Sequence, residues 1–247
     1  MKHLRQYIRK LILEKSLTGN KLEGVATTIA KEVTEYLLDG DVREAFAQRG
    51  NLQFQIEVEL PEKLIWLRDI IVAMRHHEGF NVDAKYEYDL DATDEQRKDS
   101  DLIVNLYLPT DYTNKEAEEF EIEYEGSIRH ELEHSGQPTD TLMHVQKTIK
   151  SGDDIWKSLE NAEKYYIDQA ETPAHTADWV QKSKRKGVHA ADLIDHELQR
   201  VFSTGKHYGY SDEELNPFMR RLREIYQYYL MTRWPEQDWS TEHRGEE

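Results

Sequence analysis

The 247-residue chain is predicted to adopt an α+β fold, with a small mixed or mainly antiparallel sheet of about four strands and additional N- and C-terminal helices. Three observations support this fold class. Apolar residues recur at helical spacing before residue 50, alternate with polar residues at several places between residues 52 and 125, and return to helical spacing after Gly136. The chain is long enough to bury a substantial core.

The N-terminal segment, residues 1–49, is predicted to form two amphipathic helices separated near Gly19 and Asn20. Their apolar stripes comprise Leu4, Ile8, Leu11 and Ile12 in the first helix, and Val25, Ile29, Val33, Tyr36 and Leu37 in the second. Such a stripe is typical of a helix packed on a core, and it would also suit docking to a partner protein or a second copy of the chain. If the segment is an appendage, its removal should leave the remaining fold intact.

Four segments show the alternation of apolar and polar residues that is typical of half-buried strands. The predicted strands lie within residues 52–60, 80–88, 101–108 and 119–125. Pro61 and Pro109 follow the first and third of them, as expected for a residue that cannot donate to a strand ladder. Residues 61–77 have helical spacing and are predicted to form a helix between the first two strands.

The chain after Gly136 is predicted to be mostly helical, with a polar tail. We therefore expect three parts: an N-terminal helical segment at 1–49, a central domain at 50–200 and a C-terminal helix with its tail at 201–247. The central domain contains the predicted sheet.

Composition argues against several classes of protein and site. Asp and Glu outnumber Lys and Arg by 49 to 32, a net charge of -17 that would repel a phosphate backbone, so we expect no nucleic-acid partner. The chain has no cysteine, so any metal would be held by His, Asp or Glu. No stretch approaches the ~18 apolar residues of a membrane span, and basic residues interrupt the apolar run that a signal peptide would need.

The pentapeptide HELEH, which begins at His130, matches the metal-binding pattern HExxH. On a helix, His130 and His134 project from one face about one turn apart, which lets two nitrogens reach one Zn²⁺. Glu131 can contact a water on that metal. The predicted strand before Gly126 would offer an edge along which an extended peptide could be aligned. A chance match is the alternative, since the chain contains 11 histidines.

A catalytic zinc needs a third protein ligand. Glu171 opens a predicted helix downstream of His134, and Pro173 suits its first turn. HELEH followed by ETPA resembles the gluzincin group of zinc metallopeptidases, in particular the compact minigluzincins, in which a second helix carries a Glu-x-x-Ala motif. The resemblance covers about residues 52–200.

This resemblance implies a zincin-like catalytic domain in which His130, His134 and Glu171 hold Zn²⁺ and Glu131 is the general base. The substrate would be a peptide or a protein. Larger gluzincins add a His or Tyr that stabilises the oxyanion, and four residues are candidates for that role: Tyr165, Tyr166, His207 and Tyr208. The alternative is a catalytically inactive zincin-like protein with a binding or structural role, for example in a phage particle or its assembly.

Two further features deserve separate interpretations. His189, Asp192 and His196 fall on one predicted helix face and could bind a second metal, but we interpret them as a polar face with charge pairs.

Residues 4–9, LRQYIR, loosely resemble the basic amphipathic helix that opens some tailed-bacteriophage proteins. That resemblance implies a protein partner for the N-terminal helix and a protein of a bacterium or phage-infected cell, either cytoplasmic or virion-associated. Because basic residues interrupt the N-terminal apolar run, we expect no export by a signal peptide.

Overall fold

The computed structural model describes residues 19–57, 67–87, 100–137, 141–142, 155–168 and 170–235. Within these residues the chain forms seven helices and a four-stranded mixed sheet that is not closed, which confirms the predicted α+β class. The chain divides into two compact units. The sheet unit spans Thr18–Thr139, and the helical unit includes Asp140–Glu247.

Helices α1 (Gly19–Leu38) and α2 (Gly40–Arg49) open the sheet unit. The Asp39 side chain accepts hydrogen bonds from two backbone N–H groups in the first turn of α2, and this capping separates the two helices. Gly50 ends α2 in the left-handed conformation, with φ of 68°. The second predicted helix is therefore two helices, and the first lies before residue 19, outside the described residues.

The sheet consists of β1 (Asn51–Ile56), β2 (Leu67–His76), β3 (Asn81–Glu87) and β4 (Ser100–Leu108). The strand order is β1-β2-β4-β3, so β1 and β3 are the edge strands of the described sheet. The central strands β2 and β4 are parallel, and each edge strand is antiparallel to its neighbour. Strands β1, β3 and β4 confirm three of the four predicted strands.

Strand β2 occupies most of the segment that was predicted to be a helix, so that prediction is wrong. The apolar spacing of this segment fits a helix, but Ile70, Val72 and Met74 are buried at every second position. β-branched residues favour a pleated, partly buried surface, and β2 lies between β1 and β4. Packing inside the sheet therefore overrides the helical pattern.

The fourth predicted strand, at 119–125, is also wrong, because these residues lie inside helix α3 (Asn114–Ser135). A capping box of Thr113 and Glu116 starts this helix. Gly126 is also helical, and HELEH lies in the last two turns of this 22-residue helix. The alternation suggests a half-buried strand, but two of its polar residues, Glu121 and Glu125, are buried in helix α3.

One hydrophobic core joins α1, α2 and α3 to the inward-facing side chains of the sheet. Ala26, Ile29, Val33 and Leu37 of α1 are fully buried in this core, as is Phe46 of α2. The described part of the N-terminal segment is therefore integral to the sheet unit and is not an appendage.

The helical unit contains α4 (Leu159–Tyr166), α5 (Glu171–Lys186), α6 (Ala190–His207) and α7 (Asp212–Arg233). Its core is distinct from that of the sheet unit and is rich in aromatic residues from these helices. The helical character predicted after Gly136 is confirmed over the described residues. In those residues, we find no helix with the length and apolar character needed to cross a membrane.

Candidate metal centre

The last two turns of α3 bring the two histidines of HELEH together. The Nε2 atoms of His130 and His134 lie 3.1 Å apart, and the ring centroids are separated by 4.8 Å. His134 is buried and His130 is partly buried. Both imidazoles thus direct Nε2 toward one point, as the four-residue spacing predicts.

Gln137 supports His134 from the turn that follows α3. The Nδ1 atom of His134 lies 3.0 Å from Oε1 of Gln137, whose side chain is buried. The chain turns back at Gly136, and the N–H of Gln137 donates to the His134 carbonyl at 3.0 Å. Sequence reasoning missed Gln137; the available signal was a polar residue three positions after a candidate ligand.

Glu131 is held in place by the edge strand β3. Its Oε2 accepts a hydrogen bond from the backbone N–H of Tyr86 at 2.8 Å, while its Oε1 lies 3.8 Å from Nε2 of His130. One carboxylate oxygen is thus fixed by the sheet and the other lies near Nε2 of His130. Residues 119–125, predicted to form a strand before the motif helix, lie within that helix, and the strand that contacts Glu131 is β3.

Glu171 is the first residue of α5, at the helix end where the macrodipole favours negative charge. The helix has no side-chain cap at Ala170. Instead, Asp168 Oδ1 accepts the N–H of Ala170 at 2.6 Å, and the Asp168 carbonyl accepts the N–H of Thr172 at 3.0 Å. Pro173 lies in the first turn, as predicted.

A buried tyrosine of α7 stabilises the same turn. Tyr226 donates its hydroxyl to the carbonyl of Tyr166 at 2.9 Å, and Thr172 donates to that carbonyl at 3.3 Å. Burial, followed by the nearby charges of groups that include Glu197 and Glu171, raises the pKa of Tyr226 well above its usual range. The phenol therefore stays a neutral donor at neutral pH.

His175 lies one helical turn after Glu171, with its Nε2 3.8 Å from Oε2 of Glu171. Its ring stacks on Trp179, with centroids 6.2 Å apart and an interplanar angle of 22°. The carboxylate at the start of α5 thus has an imidazole as its neighbour on the same helix.

The ligand atoms of His130, His134 and Glu171 all lie within 4.8 Å of one another, so these three residues could hold a metal ion. Two nitrogens bound to a tetrahedral zinc at ~2.0–2.1 Å are about 3.3–3.4 Å apart, close to the separation of the two Nε2 atoms. The donor set therefore fits a metal such as zinc. In the described ranges, it is the only such group of three or more His, Asp or Glu residues.

The second cluster considered from sequence does not form such a group. His189 caps α6, where its side chain accepts the N–H of Ala191. His189, Asp192 and His196 are all exposed. This arrangement agrees with a polar helix face.

The four candidates for oxyanion stabilisation fall in two places. Tyr165 and Tyr166 end α4, close enough to Tyr226 to influence its pKa together with Glu171. His207 and Tyr208 lie at the exposed end of α6. Burial raises the pKa of Tyr166. The assignment of an oxyanion role stays a prediction for all four.

Comparisons with protein-family models, curated proteins and solved structures found no match to this chain. The resemblance to gluzincins consequently stays a prediction from HELEH and ETPA. The residues of the candidate metal centre are the basis on which a function can be proposed.

Proposed function

We propose that the protein is a zinc-dependent metallopeptidase of the gluzincin type. In this proposal His130, His134 and Glu171 are the metal ligands, and Glu131 is the general base. The observation that carries it is the proximity of the three ligand atoms, together with a carboxylate oxygen of Glu131 that lies 3.8 Å from Nε2 of His130. Two imidazoles and one carboxylate with an open fourth position are typical of catalytic zinc, whereas magnesium and calcium prefer oxygen ligands.

Zinc bound to these residues would polarise the scissile carbonyl and lower the pKa of a water molecule. Glu131 would receive the proton of the attacking water at Oε1, the oxygen nearest His130, and then donate it to the leaving amine. Tyr86 fixes Oε2 by its backbone N–H. Proton transfer would therefore use one defined oxygen of the carboxylate.

We propose a peptide or protein as the substrate. The resemblance of HELEH and ETPA to the peptide-cleaving gluzincins supports this assignment. The net charge of -17 would favour segments rich in Lys and Arg. Mass spectrometry of cleavage products, with rates measured at increasing salt, tests this preference. Cleavage sites without basic residues and rates that do not fall with salt would contradict it.

The central test combines metal analysis with hydrolysis of casein or a peptide library. Glu131→Gln should retain zinc but lose activity by about 10²- to 10⁴-fold, because it removes the base and leaves the ligands. Glu118→Gln is the matched control, since Glu118 is exposed on the same helix. Full activity of Glu131→Gln would refute the assigned role. A folded wild-type protein that takes up no zinc would refute the proposed function.

A protein that binds zinc through all three residues but cleaves no peptide would support the alternative, a zincin-like binding or structural protein. The phage-like residues 4–9 lie outside the described residues. A virion-associated role and a partner for the N-terminal helix therefore stay predictions.

A further inference from the structure

We infer that Gln137 is a positioning residue that fixes the tautomer and orientation of His134, so that Nε2 of His134 is available to a metal. This inference rests on the proposed function for its biological meaning. It adds a buried residue outside the HExxH pattern and the downstream glutamate.

The geometry identifies the hydrogen-bond partner of each His134 nitrogen. Nδ1 faces Oε1 of Gln137 at 3.0 Å, and Nε2 faces Nε2 of His130 at 3.1 Å. An amide oxygen can only accept, so Nδ1 must carry the proton in this hydrogen bond. The neutral ring then has its lone pair on Nε2, the atom that belongs to the group of three ligand atoms.

The tautomer of His134 matters because His134 and Gln137 are both buried. Gln137 is 3% exposed and His134 is 8% exposed, so little water reaches this pair. A ligating histidine typically donates its second ring N–H to an acceptor that fixes ring orientation, and loss of that acceptor lowers metal affinity. If His134 carried its proton on Nε2, that proton would occupy the position a metal requires.

The histidine pair follows from the same assignment. With the lone pair of His134 on Nε2, the facing Nε2 of His130 carries a proton and donates to it in the metal-free protein. The two rings are thus held together before metal binds, and binding requires that proton to leave Nε2 of His130. Gln137 therefore determines which of the two facing nitrogens is the acceptor.

The test uses the metal-free full chain and NMR two-bond ¹H–¹⁵N correlations at pH 8, with the His134 signals assigned by their loss in His134→Ala. Wild type should show His134 protonated on Nδ1. Gln137→Met keeps the side-chain length but replaces the amide by a weak acceptor, and should increase the Nε2–H tautomer. Gln137→Glu keeps an acceptor oxygen and should retain the wild-type tautomer.

Zinc dissociation constants provide the second readout. Gln137→Met should weaken zinc binding by about 10- to 100-fold, and Gln137→Glu should retain it. Gln48→Met, which changes an exposed glutamine of α2, is the control and should leave the constant unchanged. Thermal unfolding of each metal-free variant separates a loss of fold from a loss of orientation.

Two results would overturn the inference: an Nε2–H tautomer at His134 in the wild type, or an unchanged tautomer and zinc affinity in Gln137→Met. If no variant binds zinc, the proposed function fails, while the tautomer comparison still decides whether Gln137 orients the ring. If the wild type, Gln137→Met and Gln137→Glu bind zinc equally well and share one tautomer, the proposed zinc site is unaffected and the role of Gln137 is refuted.

Discussion

Helices α3 and α5 present their candidate ligands at opposite ends. His130 and His134 lie in the last turns of the 22-residue helix α3, whereas Glu171 is the first residue of the 16-residue helix α5. The C-terminal end of a helix carries partial negative charge and favours a cation, and the N-terminal end favours a carboxylate. Glu171 thus occupies the helix end that favours a carboxylate, whereas the neutral histidines occupy an end whose field would favour a bound cation.

The two helix ends also differ in how they are stabilised. His134 is supported by Gln137, a close neighbour in sequence. The turn before Glu171 depends on Tyr226 of α7, which donates to the carbonyl of Tyr166. Support is therefore local at the end of α3, whereas the start of α5 combines local hydrogen bonds to Asp168 with a long-range one from α7.

The largest expected effect comes from deletion of residues 19–49, which removes α1 and α2 and contrasts the two units. The sheet unit should unfold and zinc binding should be lost, because each buried aliphatic side chain removed from α1 contributes ~1.5–3 kcal/mol against a typical total stability of about 5–15 kcal/mol. The core of the helical unit contains no residue of α1 or α2. Hydrogen exchange should show lost protection in β1–β4 and retained protection in α5–α7. A truncated chain that keeps the sheet protected and binds zinc would restore the appendage interpretation.

The second-largest effect is expected from removing a proposed metal ligand at either helix end. His134→Ala and Glu171→Ala should each weaken zinc binding on the order of a hundredfold or more, because a bound metal derives its free energy from all of its ligands. Isothermal titration with a competing chelator measures this change. His196→Ala, at an exposed histidine of α6, should have no effect. Unchanged zinc affinity in Glu171→Ala would show that Glu171 is not a metal ligand and is favoured at this position only by the helix dipole.

The smallest expected effect compares Tyr226, whose acceptor lies in the turn before Glu171, with Tyr112 of the sheet unit. Tyr112 and Tyr226 are both buried and donate their hydroxyls to backbone carbonyls, those of Leu37 and Tyr166. Replacing either by Phe should lower the free energy of unfolding by about 1 kcal/mol, measured in urea. Only Tyr226→Phe should also weaken zinc binding, by a few-fold, because its acceptor lies in the turn before Glu171. Equal zinc affinity in both variants would show that this turn needs no support from α7.

The sequence predicted the α+β class, three strands and the meeting of His130, His134 and Glu171, because each depends on short-range spacing or on a motif. The secondary-structure predictions that failed concern segments whose conformation is determined by long-range contacts. Segment 67–76 has helical spacing but lies in the centre of the sheet, and segment 119–125 alternates because α3 buries glutamates that look like surface residues. Long-range contacts such as that between Tyr86 and Glu131 have no local pattern in the sequence.

The hydrogen bond from Tyr86 to Glu131 also affects how strand β3 can pair with other chains. Edge strands expose backbone groups that can pair with other chains and start aggregation. On β3, the N–H of Tyr86 is bound by the Glu131 carboxylate and the N–H of Val82 by the Asn81 side chain at 3.0 Å. Side chains thus occupy two donors of this edge strand, and Glu131, the proposed general base, also helps to keep neighbouring molecules from extending the sheet.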